Sequence, residues 1–270
     1  MRYAGAAGES VNEIRLSPRD DGRQRVEWAH VRVEPAVELF GHTDAFGNEV
    51  RWFQLVGSHD TLVVESEAIV TTMPAERPPA GAGGEMAELD EPGYADRHAE
   101  FLGASAHVRW GGPVAELGDG LAPAEGEGAL AWVRALEAEV NRAIAYTTGA
   151  TRVDTPIEDV VRAGAGVCQD MAHLMIALCR RRGMAARYIS GWLHLPGIER
   201  PGESHAWVEA AVPGLGWVEL DPTHPDPAHE EYVRLAVGRD YVDVPPLRGS
   251  YVGPPTEAMS VAVTVSELPA

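Results

Sequence analysis

Three residues have the types that nucleophilic acyl chemistry needs, in an order a fold could gather. Cys168 follows Gly164-Ala165-Gly166 at the start of a stretch with helical texture. A thiol must become a thiolate to attack a carbonyl, and a helix N-terminus favours that anion. The N–H groups of a first helical turn can also hold the oxyanion of a tetrahedral intermediate, and small glycines leave room for a substrate backbone. A thiol nucleophile needs a base, and His205 opens the strand-like run His205-Ala206-Trp207-Val208-Glu209. The base needs an orienting acceptor, and Asp221 closes the next run, just before Pro222. Taken singly, these residues have plainer readings: a buried thiol, a surface histidine, and a turn-initiating aspartate. As an ordered set they fit the logic of a nucleophile, base and orienter.

The elements that must position them are legible around them. A helix is expected over 166–182, with Gly183 as its C-terminal cap and Arg180-Arg181-Arg182 complementing the negative end of its dipole. Strands are expected over 185–195, 205–212 and 216–220, the last two joined by the turn Pro213-Gly214-Leu215-Gly216. That hairpin brings His205, at the start of one strand, to the end of the other, where Asp221 sits. Upstream, apolar residues at 130, 133, 136, 140 and 144 predict a helix over 129–146. Residues 1–75 alternate in the manner of strands, with Asp20-Asp21-Gly22 and Phe46-Gly47-Asn48 as turns, and read as an antiparallel β domain. Residues 76–98, which include Pro78-Pro79 and Gly81-Ala82-Gly83-Gly84, read as a linker or long loop. Residues 99–270 are expected to form one core that holds the three candidate residues, ending in a strand-like segment over 261–265.

Composition bounds the function further. The 22 Lys and Arg against 41 Asp and Glu give a formal net charge of −19, which lacks the basic footprint of a nucleic-acid binder and is repelled by an anionic membrane. Along one helix, Cys168 and Cys179 stand roughly 16 Å apart, beyond the ~7 Å Cα reach of a disulfide. No disulfide framework is expected, and a reducing cytoplasm fits. The first ten residues lack an apolar signal-peptide core, and no window approaches a membrane span.

The segment Gly166-Val167-Cys168-Gln169-Asp170, with Ser204-His205-Ala206-Trp207-Val208-Glu209 and Gly216-Trp217-Val218-Glu219-Leu220-Asp221-Pro222-Thr223, resembles the transglutaminase-like superfamily. The likeness is closest to its bacterial branch, in which a β domain precedes the core. Asn12-Glu13-Ile14-Arg15-Leu16-Ser17-Pro18-Arg19-Asp20 and Asp44-Ala45-Phe46-Gly47-Asn48 resemble that β domain, and the stretch from Ala236 to Pro246 resembles the segment after the core. The resemblance implies an α+β fold with a papain-like catalytic core, and Cys168, His205 and Asp221 as the catalytic triad. It also implies acyl transfer on peptide or protein amides through a thioester. Water as acceptor makes a cysteine peptidase or amidase, the favoured reading, and an amine makes a transglutaminase. A scaffold without turnover is the third reading, which the intact triad disfavours.

Other residues carry narrower expectations. Gln169 is a candidate second oxyanion donor. Asp170 either stabilises the helix dipole or shapes the acyl pocket. Tyr188, Trp192 and Trp207 are core residues or line a substrate groove. His194, His224 and His229 follow no metal-ligand spacing, and neither a cofactor nor a metal is expected. The loop 195–203 is expected to shape specificity, and the oligomeric state carries no signal.

Overall fold

The structure, a computed structural model, describes residues 1–74, 77–194, 204–225 and 231–268. The N-terminal third is β: β1 (Arg2–Ile14), β2 (Gln24–Glu34), β3 (Phe40–Thr43), β4 (Glu49–Leu55), β5 (His59–Thr61) and β6 (Val63–Thr72). The middle holds α1 (Pro92–His98), α2 (Gly112–Asp119), α3 (Ala129–Ala143), β7 (Ala145–Tyr146), α4 (Ile157–Ala163), β8 (Ala165–Gly166) and α5 (Cys168–Arg181). Then come β9 (Ala186–Leu193), β10 (His205–Val212), β11 (Gly216–Leu220), β12 (Tyr232–Gly238), β13 (Leu247–Val252) and β14 (Thr256–Ala258).

β1 is the organiser of the N-terminal unit. It pairs antiparallel with β4, and beyond β4 lies β3. Its other partners are β5, β13 and β14, so the end of the chain completes the sheet that the beginning starts. Alternation puts Ile14, Phe53 and Leu55 into one small core with Tyr3 and Leu62. β2 and β6 form a separate two-stranded ribbon. The strand expected over 261–265 is reduced to an isolated bridge at Val263. Val261 there is exposed, so the alternation has no face to bury.

Residues 76–98 are more than a linker. They hold a short 3-10 helix at Met86–Asp90 and all of α1. The Tyr94 hydroxyl donates to the Ala211 carbonyl at 2.7 Å and accepts the Ala185 N–H at 2.9 Å, which fastens this segment to the core. With so few apolar residues, the periodicity there was too weak to register as structure.

In the catalytic unit the nearly unbroken apolar run from Met171 to Cys179 makes α5 a central helix. It is packed between α3 on one side and the antiparallel sheet β11-β10-β9-β12 on the other. Arg180 is buried too, and does more than complement the helix dipole. Its guanidinium donates to the carbonyls of Ala186, Gly103 and Arg239, and burial pushes its pKa down to about 10.

β12 is an edge of this sheet, and the N-terminal unit covers it with two side-chain amides. Gln24 donates from Nε2 to the Arg234 carbonyl at 2.9 Å and accepts the Arg234 N–H at Oε1 at 2.8 Å. Asn48 does the same for Val237, at 2.8 and 2.7 Å. Each amide therefore stands in for one residue of a missing neighbouring strand. Ion pairs surround them: Arg23 with Glu219 at 2.8 Å, and Arg234 with the buried Glu209 at 2.9 Å. Gln24→Ala and Asn48→Ala each strand a buried N–H and C=O, and each is expected to cost about 1–3 kcal/mol. Chemical denaturation checks this; stabilities equal to wild type would show that the amides do not hold the units together.

Candidate active site

The site begins at the N-terminus of α5. Gly164 caps α4 in the left-handed conformation (φ 62°). Two residues on, a Cβ at Gly166 would stand 2.9 Å from Asp170 Oδ2 and 3.1 Å from Val160. The glycines thus answer to the turn and to Asp170. Asp170 is buried and accepts the Val167 N–H at 2.9 Å and the Thr151 hydroxyl at 2.6 Å. This is the first-turn acid of a helix N-terminus, tying down the entry to Cys168. The Gln169 amide donates to the Val153 carbonyl at 3.0 Å, which holds the 151–155 loop against the same turn. Cys168 itself is half-buried at the helix start.

The sheet supplies the partners. Even-numbered Ala206, Val208 and Ala210 of β10 pack into the main core, which leaves His205, Trp207 and Glu209 on the other face. The β10–β11 register pairs Val208 with Leu220. Continued by one residue it sets Asp221 opposite Trp207, one pleat repeat from His205 and on its face. His205 Nε2 meets Asp221 Oδ2 at 2.7 Å. Asp221 is fully buried, and its carboxylate is completed by two further donors: the Tyr232 hydroxyl to Oδ2 at 2.7 Å and the Thr223 N–H to Oδ1 at 2.8 Å. The Cys168 thiol lies near enough to the His205 ring to raise its pKa.

The electrostatics follow from burial opposed by partners. Burial alone would depress the His205 pKa; the hydrogen bonds and charges of Asp221 and Cys168 outweigh it and push it up to about 10. Burial would raise Asp221, but His205, Tyr232 and Thr223 hold it below the ordinary carboxylate range. Because the ionised Asp221 only accepts, Nε2 carries its proton, and Nδ1 is the nitrogen left for the thiol.

The rest of the wall is aromatic. Trp207 stacks under His205 (ring centroids 6.0 Å apart, 18° between planes) and meets Tyr232 edge-on. Its indole also closes over Gly191, where a Cβ would stand 2.2 Å from the Val233 carbonyl and 2.5 Å from the ring. Tyr188 is buried on the α5 side, where the Cys168 charge helps to raise its pKa. Its ring leans on His173, which in turn stacks on His107 at 5.1 Å. His173 accepts the Tyr241 N–H, and burial pushes its pKa down to about 3. Trp192 is half-buried on β9. Of the histidines without ligand spacing, His224 is exposed with its ring 5.6 Å from that of His205, His194 approaches Glu267 at 3.8 Å, and His229 lies outside the described residues, as does the loop 195–203. Tyr232, Gly191 and His173 were not singled out in the sequence, because a lone tyrosine, glycine or histidine carries no spacing signal.

Comparison with known proteins bears on the family and the fold. The family model described as the transglutaminase-like superfamily core matches residues 120–222, and that of the bacterial transglutaminase-like N-terminal region matches residues 1–71. An uncharacterized protein of Mycobacterium leprae is 34% identical over 276 residues, covering 98% of this chain and 95% of its own length. One from Mycobacterium tuberculosis is 30% identical over 296 residues, covering 98% and 89%. Among solved structures, a "Putative Cysteine Protease" from Cytophaga hutchinsonii shares the fold with a TM-score of 0.72 at 22% identity, over 98% of this chain and 89% of that one.

Two substitutions probe the geometry. Tyr232→Phe removes a hydrogen bond to a buried carboxylate and is expected to cost about 1.5–3 kcal/mol at pH 7. The folded-state pKa of Asp221 lies below its ordinary 3.8, so this contribution is present above that value and is lost as pH falls through the folded pKa. Unfolding at pH 7 and along an acid series carried down through the Asp221 titration checks it; a gap that does not narrow across that titration would contradict the assignment. Gly191→Ala drives a Cβ into backbone and indole, and a loss of about 1–3 kcal/mol or more is expected by thermal denaturation.

Proposed function

Since the chain belongs to the transglutaminase-like superfamily, in the bacterial form with its own N-terminal region, we propose that it is a cysteine acyl-transfer enzyme that hydrolyses peptide or protein amides. The observation that carries this is His205 hydrogen-bonded at 2.7 Å to the fully buried Asp221 carboxylate, with the Cys168 thiol near enough to act on the same ring.

His205 Nδ1 takes the Cys168 proton, and the thiolate attacks the amide carbonyl. The oxyanion lies against the α5 N-terminus, where the Cys168 N–H belongs to the first-turn groups that have no acceptor within the helix. As the C–N bond breaks, the imidazolium returns the proton to the departing amine and leaves a thioester on Cys168. Water, losing its proton to His205, then attacks the thioester and releases the acid and the free thiol. Asp221 keeps the ring in the tautomer both halves need. Water requires no binding site of its own, whereas an amine acceptor must be held, so hydrolysis asks least of the groups present. Amine transfer is the second reading on the same triad. No described helix is long and apolar enough to cross a membrane, and we read the enzyme as cytoplasmic from its two unpaired cysteines.

The test compares wild type with Cys168→Ala on a mixed peptide library, with and without a labelled primary amine. Cleavage by wild type alone is the expected result. Amine adducts from wild type alone would move the assignment to a transferase. Equal product from both proteins would remove Cys168 from the chemistry.

A further inference from the structure

Next to Asp221, α3 sets a second carboxyl against the first. Glu137 is 4% exposed, and its Oε1 accepts the backbone N–H of Asp221 at 2.6 Å. One turn later Asn141 donates from Nδ2 to the Pro222 carbonyl at 2.9 Å and to the Thr223 carbonyl at 3.3 Å. Residues four apart share a helix face. This face of α3 therefore grips three consecutive residues, the first of which is the triad acid and the third of which supplies an N–H to its carboxylate.

We propose that Glu137 and Asn141 are positioning residues for the reaction assigned above, fixing the 221–223 segment, and that the Glu137 charge acts through Asp221 to hold the His205 imidazolium. This rests on the triad reading.

A purely structural acceptor at this position could be neutral, since a glutamine carbonyl fits the same space and accepts the same N–H. Burying a carboxyl here instead incurs a desolvation cost. The charged groups around it are Asp221 from the end of β11, Arg134 from its own helix and Arg77 from the segment after β6. Burial pushes the Glu137 pKa up to about 7, the Asp221 carboxylate adds to the rise, and the Asp221 N–H, Arg77 and Arg134 oppose it. Glu137 thus changes charge near neutrality, one backbone amide away from the group that orients the base. As pH rises through that range its anion forms and favours the positive form of His205. The imidazolium, and the thiolate it accompanies, should then survive to higher pH than Asp221 alone would allow.

The experiment needs no substrate. The rate of Cys168 alkylation by iodoacetamide is measured against pH for wild type, Glu137→Gln and Asn141→Ala, with Cys168→Ala correcting for Cys179. The ring resonances of His205 are followed in parallel by NMR. In Glu137→Gln, which keeps volume and acceptor but deletes the charge, the pH at which His205 loses its proton is expected to fall by roughly half a unit or more. In Asn141→Ala the His205 resonances should shift and the alkylation rate should change at constant pH. In wild type, His205 should respond at the pH where the Glu137 carboxyl titrates; this measurement stands even if a variant fails to fold. Superimposable profiles for wild type and Glu137→Gln, or a wild-type His205 that ignores the Glu137 titration, would overturn the inference and leave the triad reading intact. A wild-type Cys168 that titrates as an isolated thiol would overturn the triad reading itself, and this inference with it.

Discussion

A carboxylate with no exposed surface is held at Asp221, and most of the catalytic unit is arranged around making that tolerable. Removing such an ion from water costs several kcal/mol unless its lone pairs are met by good donors. Three donors meet them, and they come from three places: His205 from the start of β10, Tyr232 from the start of β12, and Thr223 from the segment that follows Asp221 itself. The requirement fixes the order of the sheet. β10 must lie beside β11, and β12 must reach back across β9 far enough for a tyrosine hydroxyl to arrive at the same oxygen as the imidazole. The same buried charge is what lets the imidazole stay protonated next to a thiol.

Beyond Cys168, on the Tyr188 side, burial keeps two titratable groups neutral. His173 sits close by, but burial keeps it neutral and its Nε2 is occupied by the Tyr241 N–H. Tyr188 likewise holds its proton, with burial as the main cause. Asp170, the one acid in the first turn, is tied to Val167 and Thr151 and faces into the helix entry. His205 carries its positive charge against the Asp221 counter-ion. Trp207 and Gly191 close the sheet beneath the ring, and a low-dielectric floor strengthens the His205–Asp221 interaction.

The grouping of Cys168, His205 and Asp221 was legible in the sequence because the three residues sit at element boundaries that have signals of their own. Cys168 lies between a glycine pair and an apolar run, and Asp221 lies between a strand and a proline. The Pro213–Gly216 turn fixes the hairpin register, and with it the face that His205 and Asp221 share. What stayed hidden acts over long separations. Tyr232, Glu137 and Asn141 reach Asp221 and the two residues after it from elements placed by tertiary packing, and nothing in their local spacing distinguishes them from ordinary core or helix residues. The glycines at 164 and 166 were visible as glycines, but their cause, a left-handed cap and the bulk of Asp170, appears only in three dimensions. The same is true of α1, which is attached by the buried Tyr94 ring and hydroxyl and by the His98–Trp217 contact.

The N-terminal unit is bound into this scheme from both ends of the chain. β1 pairs with β13 and β14, so the catalytic segment is enclosed between the strands of a sheet that closes only when the last residues arrive. That sheet then lends Gln24 and Asn48 to the open edge of β12, the strand that carries Tyr232. A free edge would leave β12 with unpaired backbone groups and a looser position. The amides supply those partners without extending the sheet, and hold Arg234 and Val237 at fixed points along the strand. Placement of the Tyr232 hydroxyl on Asp221 therefore depends on contacts made by residues some two hundred positions earlier in the chain. The β unit is thus part of the support of the active site, and its attachment to β12 is the physical link between the two halves of the molecule.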